Sequence, residues 1–138
     1  MSKLKLLFII CALPVIELYG QEAHQLTVLV EGLKNRLGSV EVCIAHSGQS
    51  YMRNPESCLV DSVHSSKMNF LFNDLETGVY AITVVHDENN NGKLDLGFLK
   101  IPKEPYGFSN NPATTFGPPS FEEASFQVKS DKIVSIKL

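Results

Sequence analysis

The sequence has no tryptophan, few basic residues and no long apolar run after its first 20 residues. It contains 12 lysines and arginines against 15 aspartates and glutamates among 138 residues. Phosphate binding needs a concentrated basic surface, so nucleic acid is not expected as a partner. A membrane-spanning helix needs roughly 20 apolar residues, and no stretch after residue 20 approaches that length. Without tryptophan, any stacking on a ligand depends on tyrosine and phenylalanine.

Residue patterns typical of common catalytic sites are also missing. His24, His46 and His64 lie on separate segments without the i, i+2 or i, i+4 spacing that would indicate a zinc site. No serine lies in a G-x-S-x-G turn, and neither Cys43 nor Cys58 has a residue context that would activate a thiol. These absences predict a protein without enzymatic activity.

The N-terminal segment MSKLKLLFIICALPVIELYG has the three-part pattern of a secretory signal. Two lysines precede an apolar run from Leu6 to Ile16, and a small residue, Gly20, follows it. The run is too short to span a bilayer. We predict that residues 1–20 are a signal peptide, cleaved before Gln21, and that the protein is exported to the periplasm or out of the cell.

Cleavage would leave one domain, residues 21–138, with 10 basic and 14 acidic side chains. About 118 residues is the size of a domain with one hydrophobic core. This domain retains Cys43 and Cys58. In an oxidising compartment, such a pair is more often a disulfide than two free thiols. We therefore predict a Cys43–Cys58 disulfide; the alternative is two separately buried thiols.

Alternating apolar and polar residues predict β-strands along most of the domain. Leu26, Val28 and Val30 share one face of the first strand. Residues 78–85 are apolar on both faces, which predicts a central strand covered on both sides. Further core candidates are Val40, Val42, Ile44, Met68, Phe70, Phe72, Tyr80, Ile82, Val84, Phe126, Val128, Val134, Ile136 and Leu138. With no helix of ten or more residues indicated, the pattern predicts an all-β fold, an antiparallel β-sandwich of about seven strands.

One long segment, residues 86–121, interrupts the regular succession of strands. It contains five of the seven prolines and the aromatic residues Phe98, Tyr106, Phe108 and Phe116. Loops of this length in a compact domain are usually functional or disordered. The aromatic residues favour an ordered loop that folds against the sandwich.

Three stretches of the sequence resemble a known bacterial family. They are FLFNDLETGVYAITVVHDENNNGKLD, IPKEPYGFSNN and FGPPSFEEASF. Together they resemble the secreted family catalogued as domain of unknown function 2141, over nearly the whole chain that follows the signal. The resemblance implies an exported all-β domain and brings no established activity. The pattern F-x-x-L-x-x-G-x-Y-x-I-x-V is more loosely similar to prealbumin-like (transthyretin-like) sandwiches, including Cna-B domains, which are mostly accessory or structural modules.

The stretch HDENNNGKLD, residues 86–95, has the spacing of half a calcium-binding loop. Calcium prefers six to eight oxygen ligands, which alternate residues of a tight loop can supply. The candidate ligands are Asp87, Asn89, Asn91, the Lys93 carbonyl and Asp95, at loop positions 1, 3, 5, 7 and 9. Position 12 is Phe98 instead of glutamate, so Glu104 or Glu88 is a candidate for the missing carboxylate. The alternative is a metal-free turn in which Asp and Asn side chains bond to backbone amides.

The long loop also contains candidate binding residues. Tyr106, Phe108 and Phe116 could form a surface for a glycan, a peptide or an envelope protein. The alternative is that these rings pin the loop to the sandwich. We predict an exported, non-enzymatic binding or structural module; the competing hypothesis is a hydrolase using His86, Asp87 and Glu104 around a metal ion or water.

Overall fold

The computed structural model describes residues 22–138, so the predicted signal peptide, residues 1–20, lies outside the described residues. The fold is all-β with two short helical segments. The strands are β1 (Ala23–Glu31), β2 (Ser39–Ala45), β3 (Ser57–Ser62), β4 (Lys67–Glu76), β5 (Gly78–Asp87), β6 (Tyr106–Phe108), β7 (Phe126–Val128) and β8 (Lys132–Lys137). A 3-10 turn spans Phe98–Lys100 and the helix α1 spans Phe121–Ala124. Neither has the length and apolar character needed to cross a membrane.

The strands form two sheets. The three-stranded sheet has the order β4-β1-β8, and the five-stranded sheet has the order β3-β2-β5, with β6 and β7 both pairing with β5. The prediction of an all-β sandwich is confirmed. One pairing differs from the antiparallel expectation, because β1 and β8 are parallel. The chain crosses from one sheet to the other between β7 and β8, and this crossover brings the last strand alongside β1 in the same direction.

The core lies where the inward-facing residues of both sheets meet. Leu26, Val28 and Val30 of β1 are fully buried, as the alternating pattern predicts. The same cluster includes Val40, Val42, Ile44, Met68, Phe70, Phe72, Ile82, Val84 and Ile136. Burying an aliphatic or aromatic side chain of this size contributes roughly 1.5–3 kcal/mol, so this cluster is the main source of stability.

A second, smaller cluster covers the outer face of the five-stranded sheet. It joins Ala45 of β2 and Ala81 of β5 to Tyr51, Phe108 and Ala124. The Tyr51 and Phe108 rings lie 6.4 Å apart. The outer face of β5 is therefore covered at Ala81, whereas Val79 on the same face is 42% exposed, so the prediction of cover on both sides holds for only part of the strand.

Ser109, directly after β6, joins β5 to α1. It is fully buried. Its backbone N–H donates to the Ile82 carbonyl at 3.1 Å, and its hydroxyl accepts from the Ile82 N–H at 2.9 Å. The hydroxyl also donates to the Ala124 carbonyl at 2.5 Å. One side chain thus satisfies backbone groups of β5 and α1 at the point where β6 ends.

The predicted disulfide is present. Cys43 of β2 and Cys58 of β3 are directly opposite in the antiparallel ladder, with Cα atoms 4.1 Å apart. The alternative of two buried thiols is wrong. Most side chains of β3 are exposed, so burial contributes little to holding this edge strand in the sheet. The disulfide provides a covalent attachment to β2.

Candidate functional site

The loop that follows β5 begins at Asp87, whose side chain turns into the loop. This residue is buried. One carboxylate oxygen accepts from the Gly92 N–H at 2.7 Å, and the other accepts from the Asn91 N–H at 3.2 Å. Gly92 has φ +71°, in the left-handed region that glycine adopts at low cost. Asp87, the first candidate ligand, therefore stabilises the turn that reverses the chain in its own loop.

Asn89, Asn91 and Asp95 lie together in the same turn. The side-chain amides of Asn89 and Asn91 donate to the two oxygens of Asp95, at 2.6 and 3.0 Å. The amide oxygens accept from backbone N–H groups, that of Asn91 at 3.0 Å and that of Lys93 at 2.9 Å. The polar groups of the loop are satisfied by one another, which is the pattern expected of the metal-free turn.

This geometry defines what a calcium ion would have to change. The amide hydrogens of Asn89 and Asn91, and not their oxygens, now face Asp95. Calcium is coordinated by oxygen atoms. Both side-chain amides would therefore have to flip, so that their oxygen atoms replace their N–H groups beside Asp95, for all three residues to become ligands. Binding would compete with existing hydrogen bonds, which favours weak affinity.

The compact group of metal-ligand side chains found within residues 22–138 lies elsewhere, at Glu41, Cys43 and Cys58. The two sulfur atoms of this group are bonded to each other. They offer no thiolate to a metal, since thiolate is the form of cysteine that binds one.

Glu104 braces the candidate calcium loop from outside. Its carboxylate is buried and accepts the Glu88 N–H at 3.0 Å and the Asp95 N–H at 2.9 Å. The two bonds join the beginning and the end of the loop. Both oxygens are thereby engaged with backbone, so in this geometry Glu104 acts as a clamp and is not directed at the loop centre.

The turn before β2 supports the loop from the other side. Gly38, with φ +66°, lies so close to Asp87 that a Cβ atom there would stand 1.8 Å from the Asp87 carbonyl oxygen. Asn35 donates to the Glu88 carboxylate at 2.6 Å. This contact was not predicted, because nothing local in the sequence indicates that residues 35–38 approach the loop.

His86 is fully buried at the end of β5. Its Nε2 lies 2.8 Å from the Leu37 carbonyl, and a carbonyl can only accept, so Nε2 carries the proton. The backbone N–H of His86 donates to the Pro105 carbonyl at 2.9 Å. His86 therefore connects β5 to the turn before β2 and to the long loop, with its side chain buried.

Two adjoining cavities lie over the outer face of the five-stranded sheet, with volumes of about 440 and 580 Å³. They share Met52, Leu94, Tyr106 and Phe108, so together they form one groove. The first cavity is also lined by the disulfide and by Gly92 and Lys93 of the candidate calcium loop. The second cavity is also lined by Leu96, Leu99, Ile101 and Phe116.

The predicted binding residues all line this groove. Tyr106, Phe108 and Phe116 line the second cavity. Phe108 is buried and Tyr106 half-buried, so these two rings also pin the loop, whereas Phe116 is fully exposed. Leu99 and Ile101 are exposed on the same wall and were not predicted. The sequence signal for them is the run FLKIP, residues 98–102, in which several apolar residues follow one another within a predicted loop.

Comparison with known proteins matches the chain to a bacterial family. A family model described as "Uncharacterized protein conserved in bacteria (DUF2141)" matches residues 28–137. The match agrees with the resemblance of the three sequence stretches. No curated protein and no solved structure matches the chain. The looser similarity to prealbumin-like sandwiches therefore stays a prediction.

Proposed function

The chain belongs to this bacterial family, DUF2141, and we propose that it is an exported, non-enzymatic module that binds the apolar part of a cell-envelope partner. The observation that carries the proposal is the groove, in which two adjoining cavities share four lining residues. Their volumes fall within the roughly 300–1,000 Å³ of protein binding pockets. The long loop forms most of its apolar wall, and binding residues commonly lie on loops held by a rigid scaffold.

The hydrogen bonds of the alternative catalytic residues support a non-enzymatic role. The His86 ring donates to a backbone carbonyl, and the carboxylates of Asp87 and Glu104 each accept two backbone N–H groups. A general base must reach the proton that it removes from a substrate. None of the three side chains lines either large cavity. Their bonds hold the base of the long loop in place.

The groove is tested with the apolar anionic dye 1-anilinonaphthalene-8-sulfonate. We expect saturable binding of the dye and a weakening of about fivefold in Met52→Ser, because one apolar wall residue is lost. Val79→Ser is the matched control, since Val79 is 42% exposed, Met52 is 45% exposed and Val79 lies outside the groove. Dye binding that is not saturable, or that both variants reduce equally, would contradict the proposal.

We propose in addition that the loop 87–95 binds calcium weakly and thereby stiffens one wall of the groove. In favour of binding, the side chains of Asp87, Asn89, Asn91 and Asp95 meet in one turn. In favour of stiffening, Gly92, Lys93 and Leu94 belong both to this loop and to the lining of the first cavity. Two aspartates and two asparagines are a low charge count. Extracellular sites of low affinity have dissociation constants of about 0.1–1 mM.

The calcium proposal predicts a higher melting temperature in excess calcium than in chelator. Asp95→Ala should abolish the difference, because it removes a charged ligand from the loop. Asp61→Ala is the control, since Asp61 is an exposed residue of β3 outside the loop. A melting temperature that is identical in calcium and in chelator would refute calcium binding and leave the groove proposal intact.

A further inference from the structure

We propose that the tip of the long loop inserts into the interfacial region of an anionic lipid bilayer. The loop tip is defined here as residues 96–101 together with Phe116. The inference rests on the proposed function, because it names a lipid surface as the envelope partner of the groove's outer wall. Interfacial elements of this kind bury apolar side chains about 5–10 Å into the boundary between headgroups and acyl chains.

The first observation is a concentration of exposed apolar side chains. Phe98 is 88% exposed and Leu99 is 75% exposed. Leu96, Ile101 and Phe116 are also exposed, and with Leu99 they line one cavity, so they form a continuous surface. Single exposed apolar residues are normal in soluble proteins, but a contiguous group of them marks an interaction surface.

The second observation is that the loop tip pairs several of its own backbone groups. The Gly97 N–H donates to the Ile101 carbonyl at 2.7 Å, and the Lys100 N–H donates to the Gly97 carbonyl at 3.2 Å. Leu96 and Pro102 form an isolated antiparallel bridge, and the Lys103 N–H donates to the Asp95 carbonyl at 2.8 Å. Unpaired backbone groups are costly in an apolar medium. A loop with internal bonds can enter the interface at a smaller cost.

The third observation is the sign of the charge around the tip. Lys100 lies within the loop tip and Lys93 and Lys103 flank it, whereas residues 96–103 contain no acidic residue. Residues 93–104 contain three lysines and two acidic residues, a net charge of +1, whereas the whole chain has a net charge of −3. The nearest acidic residues in the sequence, Asp95 and Glu104, have carboxylates that accept amide hydrogens inside the loop.

Lysines beside apolar side chains fit an anionic bilayer. Their methylene stems can lie along apolar surface while the ammonium groups reach the phosphate layer. Lys93 and Lys100 line the groove from which the apolar side chains project. Attraction to anionic lipids adds to apolar burial in interfacial binding. This combination favours a lipid surface over a protein partner, because fluid acyl chains accept exposed rings such as Phe98 without a matching pocket.

The experiment exploits the absence of tryptophan from the chain. Phe98→Trp introduces a single fluorescent reporter at the loop tip, and Ile133→Trp places one at a 73% exposed site on β8. With vesicles of phosphatidylethanolamine and phosphatidylglycerol, we expect a blue shift and quenching by lipids brominated in their acyl chains for Phe98→Trp alone. Phosphatidylcholine vesicles should give a much smaller shift, since they lack net negative charge.

Vesicle flotation of substituted proteins gives the second measurement. Leu99→Ser should lower the partition coefficient on anionic vesicles by about tenfold through the loss of apolar burial. Ile133→Ser, at a site of nearly equal exposure, should leave it unchanged. Lys100→Glu should weaken flotation, and Lys129→Glu, an exposed residue outside both cavities, is its control.

Equal flotation of the two serine variants, or no blue shift at the loop tip, would overturn the lipid proposal. If the dye still bound the groove in a Met52-dependent manner, the proposed function would stand with a protein as partner. Loss of that dependence as well would refute both. The dye titration contains no lipid, so the two failures are distinguishable.

Discussion

At the scale of single residues, Tyr51 is a buried polar group without a compensating bond. Its ring packs against Phe108 and Phe121, but its hydroxyl has no hydrogen-bond partner within residues 22–138. A buried hydroxyl without a partner costs about 1–3 kcal/mol. Burial, reinforced by the negative charge of Glu123, raises the pKa of Tyr51 to about 12.

We predict that Tyr51→Phe increases the free energy of unfolding by about 1 kcal/mol, because it removes this unpaired hydroxyl. The raised pKa gives a second expectation. The folded state holds the Tyr51 proton more tightly than the unfolded state, whose pKa is near 10.0, so stability falls as pH rises from there to about 12. Tyr51→Phe should lose less stability over this range.

Urea unfolding at neutral pH and within that alkaline range measures both effects. Tyr106→Phe is the control, because it removes a hydroxyl next to Phe108 and leaves Tyr51 intact. A Tyr51→Phe protein that was less stable than the original at neutral pH would show that the hydroxyl has a favourable partner.

The residues around the candidate calcium loop show how far single positions could be predicted. Asp87, Asn89, Asn91 and Asp95 were found from spacing alone, and the structure places them in one turn. The clamp at Glu104 was not foreseen. Its partners are backbone N–H groups 16 and 9 residues away, and no residue pattern encodes a bond to a distant amide.

At the scale of secondary structure, alternation located the strands but not their directions. An apolar face reads the same in a parallel and an antiparallel strand, so the parallel pairing of β1 with β8 was not predictable from the pattern. The helix α1 was missed because it has only four residues. Its signal is the capping box of Ser120 and Glu123, a spacing visible in the sequence.

The edge strand β3 provides a prediction at this scale. Replacing Cys43 and Cys58 together by alanine should lower the free energy of unfolding by about 3 kcal/mol, because the disulfide closes a loop with a sequence separation of 15. Dye binding in the groove should weaken as well, since residues 46–56, which carry Met52, connect β2 to β3.

Urea unfolding and dye titration give the two readouts for the disulfide variant. The unsubstituted protein in reductant should have the same free energy of unfolding and the same dye affinity as the double variant. If the double variant were as stable as the original, burial in β3 would suffice to hold this edge.

At the scale of the whole molecule, the N-terminal segment predicts export. When the full chain is expressed in a bacterium with an outer membrane, we expect the protein in the periplasmic or secreted fraction with an N-terminus at or near Gln21. Lys3 and Lys5 before the apolar run supply the features that an export signal requires. N-terminal sequencing and intact mass measure the cleavage.

Deleting residues 2–20 should leave the protein in the cytoplasm, where Cys43 and Cys58 would remain thiols. An intact Met1 on a cytoplasmic protein would contradict the prediction of a cleaved signal.

The bonds around Ser109 have a consequence for engineering. Ser109 and Asn110 lie at the start of the segment that leads from β6 to β7. Their side chains donate to carbonyls at the end of that segment, those of Ala124, Glu123 and Ser125. The adjoining Asn111 adds bonds to the Ser135 carbonyl and the Lys137 N–H, so three consecutive side chains hold the start of the segment. Residues 113–118, none of which is buried, are therefore the part that we expect to tolerate randomised sequences with the ladder of β5 intact. The protein thus offers a disulfide-bonded scaffold on which new binding loops can be selected.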